Sequence, residues 1–246
     1  MNRKHKLLLV IGDNNDDGKT IAMLSLIEAV NESGILYTVI DADTSESKSE
    51  TPGWSHYHAS SSKILLRDKC SCEQLLELAK QNELMVVGLS ASTDRCLIKM
   101  LTSDSSISQE CGLEVYVIGI ISSSPSSLVT IMTLAEFLQG SVRYVIAMTR
   151  CKGELDRIPS HEIFSAYYNS TICTKFRAAF DPVEIQVSTL DDSTLYKWAS
   201  VGGFASVAKN EKNPPFFCFD GTRLYQFVDR CNKAWKPLID VLLIRA

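Results

Sequence analysis

The residues from Lys6 to Thr20 read KLLLVIGDNNDDGKT, and they decide the fold. The run Lys6–Gly12 is almost continuously apolar, which is typical of a strand that is buried on both faces of a sheet. The next segment, Thr20–Glu32, carries apolar side chains at helical spacing, and Gly34 follows as a stop signal. A buried strand, a polar turn and an amphipathic helix together predict the first βα unit of a parallel sheet.

The rest of the chain repeats this alternation of strand and helix. Strands are predicted over Ile35–Asp41, Leu84–Leu89, Glu114–Ile121, Val142–Met148 and Val183–Val187, and helices over Cys72–Gln81, Thr93–Leu101, Ser127–Leu138 and Ser160–Tyr168. Such alternation predicts an α/β fold with a doubly wound, mainly parallel sheet and helices on both faces. We predict one domain over residues 1–246, with an irregular segment at 200–221 and a C-terminal helix over 222–243.

Composition and charge exclude several classes of protein. The chain has 246 residues, of which 45% are hydrophobic and 22% charged, so it is neither disordered nor of low complexity. Its 25 basic and 29 acidic residues give a net charge of −4, which argues against a protein coated in nucleic acid. No apolar run reaches the roughly 18 residues that a membrane span needs, and the N-terminal apolar stretch is too short for a signal peptide.

The eight cysteines favour a reducing compartment. They include no C-x-x-C pair, and most of them lie in apolar strings where a reduced cysteine serves as a small buried hydrophobic residue. Four disulfides are the alternative, but a chain of this length does not need them. We therefore expect a cytoplasmic protein with free thiols.

The turn between the first strand and the first helix has the composition of a phosphate-binding loop. Gly18-Lys19-Thr20 lies where amides at the start of a helix face phosphate oxygens, a lysine spans the β and γ phosphates, and a threonine hydroxyl holds Mg²⁺. The alternative is an accidental tripeptide that only caps the helix. The predicted cofactor-binding residues are Gly12, Asp13, Asn14, Asn15, Asp16, Asp17, Gly18, Lys19, Thr20 and Ile21.

The same turn is unusually acidic. The usual pattern is G-x-x-x-x-G-K-[ST], and Asp13 stands at the position of its first glycine, while Asp16 and Asp17 lie inside the loop. A carboxylate at ~5 Å from a phosphate costs on the order of 3 kcal/mol per charge at an effective dielectric constant of 20. Phosphate binding therefore requires these side chains to face solvent or Mg²⁺.

An acidic pair follows the second strand, in the sequence VIDADTSES. Asp41 and Asp43 come at the carboxyl end of this strand, which is where ligands bind in open α/β sheets. Alternate residues of an extended chain face the same way, so both carboxylates are expected to face the nucleotide. One of them could orient water and the other could hold Mg²⁺. The alternative is a pair that caps the following turn.

Together, the strand–GKT–helix–strand–D-A-D segments resemble the ParA/MinD family of deviant-Walker P-loop ATPases of the SIMIBI class, including the plasmid StbB-like and mobilisation MobD-like proteins. The resemblance implies that Lys19 contacts phosphate, that Thr20 and Asp43 hold Mg²⁺, and that Lys19, Asp41 and Asp43 form the catalytic set. It further implies ATP and Mg²⁺ as cofactors, and a switch protein accessory to plasmid partitioning, plasmid stability or conjugative mobilisation.

The chain departs from that family at several positions. The family's signature lysine falls at Asn14, and Gly88 stands where the third strand usually ends in aspartate. The base-reading asparagine of the family falls near Thr149-Arg150. These departures leave two alternatives to a slow Mg²⁺-dependent ATPase: a degenerate pseudo-ATPase scaffold, and an ATP-dependent ligase similar to dethiobiotin synthetases, whose longer loop the segment Gly12–Thr20 matches in length.

The expected partners follow from the same resemblance. It implies a homodimer that forms on nucleotide binding, and a DNA-binding partner protein or relaxosome component. Direct DNA contact is a further hypothesis, based on basic residues that recur at helical spacing in the last helix. These residues are Arg223, Arg230, Lys233 and Lys236. The alternative is a solvated charged face opposite a core face of Leu224, Phe227, Val228 and Trp235.

Overall fold

The computed structural model describes residues 5–12, 18–42, 61–66, 68–89, 97–98, 101–102, 112–123, 126–150, 159–191, 193–195, 198 and 218–244. The strands are β1 His5–Ile11, β2 Tyr37–Ala42, β3 Ser62–Lys63, β4 Leu84–Leu89, β5 Leu113–Ile121, β6 Arg143–Met148 and β7 Val183–Gln186. The main helices are α1 Lys19–Glu32, α2 Lys69–Ala79, α3 Ser126–Leu138, α4 Ser160–Ile163, α5 Ser165–Asn169, α6 Thr171–Phe180 and α7 Cys218–Leu243. A short 3-10 turn, Gln139–Ser141, separates α3 from β6.

The described strands form one seven-stranded sheet in the order β3-β2-β4-β1-β5-β6-β7. All strand pairs are parallel. Strand β1 lies at the centre, and its residue Leu8 pairs with Val86 of β4 on one side and Tyr116 of β5 on the other. Because every strand runs the same way, all the carboxyl ends lie at one edge of the sheet. The predicted doubly wound α/β fold is confirmed.

Each face of the sheet is covered by a separate set of helices. Alternate residues of β1 enter different apolar clusters, with Leu8 on one face and Leu9 on the other. The first face packs against α1 and α7, and the second against α2, α3, α5 and α6. This arrangement explains why β1 reads as a continuous apolar run, since both of its faces are buried.

Two predicted helix boundaries were wrong. Helix α7 begins at Cys218, within the segment predicted to be irregular, and it therefore includes Gly221. A glycine inside a helix costs only about 1 kcal/mol, which the buried face of this long helix offsets. The predicted helix Ser160–Tyr168 is instead the two short helices α4 and α5, which are separated at Phe164.

The sequence also failed to predict α6 and β3. The segment Thr171–Phe180 is rich in β-branched and aromatic residues, whose helix propensity is low. Ser170 caps this helix by accepting a hydrogen bond from the Cys173 amide, and Phe176 packs edge-on against Tyr144 of β6. Tertiary packing therefore overrides local propensity here. Most of the predicted helix Thr93–Leu101 lies outside the described residues.

Two further expectations concern cysteines and membranes. Among the described side chains, Cys70, Cys72, Cys173 and Cys231 are free thiols, as expected. No helix in the described part of the chain is long and apolar enough to cross a membrane.

Candidate functional site

The candidate site lies at the edge of the sheet where the strands end. Gly12 directly follows β1 and is buried, and α1 begins at Lys19, so the end of β1 and the start of α1 frame the candidate site. A side chain at position 12 would place its Cβ 3.4 Å from the Ile120 Cβ of β5, so the backbone runs close to the neighbouring strand here. Part of the predicted site lies outside the described residues: Asp13, Asn14, Asn15, Asp16, Asp17 and Asp43.

Gly18 forms the N-cap of α1 in the left-handed conformation, with φ 76° and ψ 18°. Its carbonyl accepts the first helical hydrogen bond, from the Ala22 amide at 2.9 Å. Only glycine adopts this backbone conformation without steric cost. Glycine also has no side chain with which to cap the first-turn amides, unlike Asp68 at the start of α2. The start of α1 therefore has the form of an anion-binding helix terminus.

Lys19 is buried, with 7% of its surface exposed. Its Nζ donates a hydrogen bond to the carbonyl oxygen of Leu89, the last residue of β4, at 3.0 Å. Because β4 lies between β1 and β2, this contact holds the ammonium group at the carboxyl edge of the central strands. A buried lysine is uncommon and needs a polar partner, which the strand end supplies. The lysine is thus placed at the same edge as Asp41, near the end of β2.

The next two residues of the first turn differ in what they can contribute. Thr20 and Ile21 are both half-buried. The Ile21 side chain packs against the core cluster under α1, so only its backbone amide can contribute to a ligand site. The Thr20 hydroxyl is the one side-chain oxygen of this pair, and it suits a hard cation such as Mg²⁺.

Asp41 is the only residue of the predicted acidic pair that lies in the described part of the chain. It is 7% exposed and pairs in register with Gly88 of β4. The alternation of β2 places Asp41 on the same face as Val39, which belongs to the core cluster beneath α1. Strand order and alternation therefore bring Asp41 to the same face and the same edge as Lys19.

Sequence reasoning missed two parts of the site. One is the Leu89 carbonyl, a backbone group that no side-chain motif reveals. The other is Thr149, which was noted only as the place of a missing asparagine. Thr149 is buried and directly follows β6, and an added Cβ at Gly18 would lie 2.8 Å from its Cβ and its Oγ1. The sequence does carry a signal for Thr149, because it is a polar residue directly after a buried strand.

Three of the four basic residues predicted on the last helix have an acidic partner, and the ion pairs of the described residues do not include the fourth, Arg230. Arg223 pairs with Asp191 at 3.5 Å, Lys233 with Asp229 at 2.8 Å, and Lys236 with Asp240 at 2.9 Å. The opposite face of the helix is buried as predicted. Neighbouring carboxylates lower the attraction of such cations for phosphate, which favours the solvated charged face over DNA contact.

Comparisons with known proteins bear on the fold. No protein-family model and no curated protein matches the chain. Among solved structures, a ParA family ATPase from Chlorobium tepidum TLS is 12% identical, with a TM-score of 0.51 and 99% of each chain covered. The signal recognition particle receptor FtsY from Elizabethkingia anophelis, solved with GDP, is 13% identical, with a TM-score of 0.47, and the match covers 78% of this chain and 59% of that one. Chloroplast FtsY from Physcomitrella patens is 13% identical, with a TM-score of 0.46 and coverage of 94% and 66%.

The likeness to the ParA family ATPase extends over nearly the whole chain and concerns the fold. The chain has the fold of ParA/MinD-like P-loop NTPases, as the sequence predicted.

Proposed function

We propose that this chain binds ATP with Mg²⁺ at the turn between β1 and α1 and acts as a nucleotide-dependent switch of the ParA/MinD type. The observation that carries the proposal is the buried ammonium group of Lys19, which lies directly after the left-handed Gly18 at the edge of the sheet. A cation at ~4 Å from a phosphate gains about 4 kcal/mol at an effective dielectric constant of 20. The ParA-like fold supports this assignment of the site.

The residues of the site divide into three roles. The amides of the turn, from Gly12 to Ile21, would surround the phosphates, and Lys19 would neutralise their charge. Thr20 and Asp43 would hold Mg²⁺, and Asp41 would orient water beside them. Mg²⁺, when bound, would supply positive charge that neutralises the phosphates. The described residues fit these roles because Thr20 and Asp41 both have side-chain oxygen atoms, which can bind Mg²⁺ or its water, at the edge where Lys19 lies.

The cellular role that we propose is accessory to plasmid partitioning, plasmid stability or conjugative mobilisation. Nucleotide binding would promote a homodimer, and the bound form would recognise a DNA-binding partner protein or a relaxosome component in the cytoplasm. The free thiols in the described part of the chain agree with that compartment.

A calorimetric titration tests the proposed site. Wild-type protein is titrated with ATP and with GTP, each with Mg²⁺, beside Lys19→Ala and the control Lys69→Ala. Lys69 is a matched control because it is also the first residue of a helix, α2, but is exposed and paired with Glu73. We expect Lys19→Ala to weaken binding at least tenfold, and Lys69→Ala to change it less than about twofold. Wild-type protein that binds neither nucleotide would contradict the proposal.

A degenerate pseudo-ATPase is the second candidate, and one observation favours it. Gly88 lies opposite Asp41 in the register, and β4 ends without an acidic side chain. Groups that orient water contribute strongly to hydrolysis, so their loss is expected to slow turnover more than binding. If wild-type protein releases phosphate from ATP, and Lys19→Ala and Asp43→Ala do not, the ATPase switch is supported. Tight binding with no release supports the scaffold, and release only with an added carboxylic acid or amine supports the ligase alternative.

A further inference from the structure

Gly18, at the start of α1, packs closely against Thr149. An added Cβ at Gly18 would lie 2.8 Å from both Cβ and Oγ1 of Thr149, and 3.2 Å from its Cγ2. Heavy atoms in ordinary van der Waals contact stay near 3.5–4.0 Å apart. Position 18 therefore has no room for a side chain, quite apart from its left-handed backbone.

Thr149 is itself held firmly by the sheet. Its amide donates to the Ile121 carbonyl at 2.8 Å, and its Oγ1 donates to the same oxygen at 3.3 Å. On the other side, the Val187 amide donates to the carbonyl of Met148 at 2.9 Å. The side chain is 1% exposed. Thr149 is therefore anchored to the sheet by backbone hydrogen bonds, and Gly18 packs against it.

The start of α1 thus contacts the ends of two different strands. Thr149, directly after β6, contacts Gly18, and the Leu89 carbonyl at the end of β4 binds the Lys19 ammonium group. The direction in which α1 leaves the sheet depends on both contacts. We therefore expect the loss or gain of even a methyl group at position 149 to shift the start of α1, because packed interiors tolerate little volume change.

We propose that Thr149 is a positioning residue for nucleotide binding, acting through Gly18 on the backbone that carries Lys19. This inference rests on the proposed function. The role is steric, because the Thr149 amide already bonds the Ile121 carbonyl and the methyl and hydroxyl groups fill the space beside Gly18. Thr149→Val keeps the volume of the side chain, whereas Thr149→Ala removes most of it and leaves a gap beside Gly18.

The test measures Mg·ATP affinity by calorimetry for Thr149→Val and Thr149→Ala. Thr38→Ala is the matched control, since Thr38 is a half-buried threonine of β2 whose hydroxyl donates to Asn82 near the other end of the sheet. We expect Thr149→Ala to bind at least fivefold more weakly, Thr149→Val to restore affinity to within about twofold, and Thr38→Ala to bind like wild type. A generic loss of stability would affect both threonine-to-alanine variants alike.

A double-mutant cycle gives a second readout. Gly18→Ala and Thr149→Gly are made singly and together. We expect the double variant to bind Mg·ATP at least fivefold more tightly than the sum of the two single losses in binding free energy predicts. The reason is that Thr149→Gly removes the side chain with which the new Cβ at position 18 would clash. If wild-type protein binds Mg·ATP but the cycle is additive and Thr149→Ala binds normally, this inference fails alone. If wild-type protein binds no nucleotide, the proposed function fails and the inference with it.

Discussion

The indole Nε1 of Trp235 donates a hydrogen bond to the Ser25 hydroxyl at 2.8 Å, and both side chains are fully buried. Ser25 in turn donates to the Ala22 carbonyl at 2.8 Å within α1. The bond joins the last helix of the chain to the helix that begins at Lys19, across 210 residues of sequence. The C-terminal helix is therefore part of the support beneath the candidate site.

The first prediction concerns this bond. Ser25→Ala is expected to lower the free energy of unfolding by about 1 kcal/mol, and Trp235→Phe by about 2–3 kcal/mol, because the second change also leaves a cavity. Urea denaturation followed by circular dichroism measures both, with the exposed Tyr225→Phe on the same helix as a control that changes little. The variant that carries both changes completes the comparison. If its loss of unfolding free energy equals the sum of the two single losses, the hydrogen bond contributes nothing to stability.

The second prediction concerns thiol reactivity. The pKa of the Cys231 thiol is raised far above its ordinary value, mainly because the thiol is buried and, to a smaller extent, because the Glu28 carboxylate is nearby. Because alkylation needs the thiolate, iodoacetamide should modify the exposed Cys70 in native protein and spare Cys72, Cys173 and Cys231. Peptide mass spectrometry reads the sites, and all four should react in concentrated urea. Equal labelling rates of Cys70 and Cys231 in native protein would show this packing to be wrong.

The third prediction is a pH dependence at Asp191. Burial alone would raise the pKa of its carboxyl, but hydrogen bonds from Ser193 and Thr194 and the nearby Arg223 lower it overall. The carboxyl has a lower pKa in the folded protein than in the unfolded chain, where it is about 3.9. The ionised carboxylate therefore stabilises the folded protein at pH above the unfolded pKa. This stabilisation is lost as the pH falls through the folded pKa. Its side chain is 41% exposed, so Asp191→Asn should cost only about 1 kcal/mol at neutral pH.

Unfolding of Asp191→Asn is compared with that of wild type from neutral pH down to strongly acidic pH. The difference between the two proteins should shrink toward the acid end. Asp240→Asn, which removes an exposed partner of Lys236 on α7, serves as the control and should stay within about 0.5 kcal/mol of wild type. A difference that grows in acid would contradict the assigned sign.

The fourth prediction tests Asp41, the buried carboxylate proposed to orient water beside the Mg²⁺ site. Asp41→Asn keeps the size of the side chain but removes its charge, so affinity for Mg·ATP should fall about tenfold or more. Affinity for ATP in EDTA should change less than about twofold. Calorimetry with and without Mg²⁺ makes the comparison, and Asp229→Asn on the exposed face of α7 is the control. An equal loss in both conditions would instead indicate a purely structural role for Asp41.

Much of the fold was predictable because its signals are local. The apolar runs of β1, β4, β5 and β6 predicted buried parallel strands, and Gly34, with φ 71°, follows the end of α1 where the sequence placed a stop. Helix α6 was not predictable in this way. Half of its residues are β-branched or aromatic and have low helix propensity, and the helix is stabilised because the buried Cys173 and Phe176 pack against the sheet.

For the candidate site, the sequence alone determined the residue types and their order: Gly18, Lys19 and Thr20 after a buried strand, and Asp41 at the end of another. Only the tertiary structure decided which groups meet there. Strand order places β4 between β1 and β2, so the Leu89 carbonyl reaches Lys19, and the end of β6 brings Thr149 against Gly18. These contacts join residues at least 70 positions apart in the chain, and a local pattern cannot encode them because they depend on how the strands are arranged in the sheet.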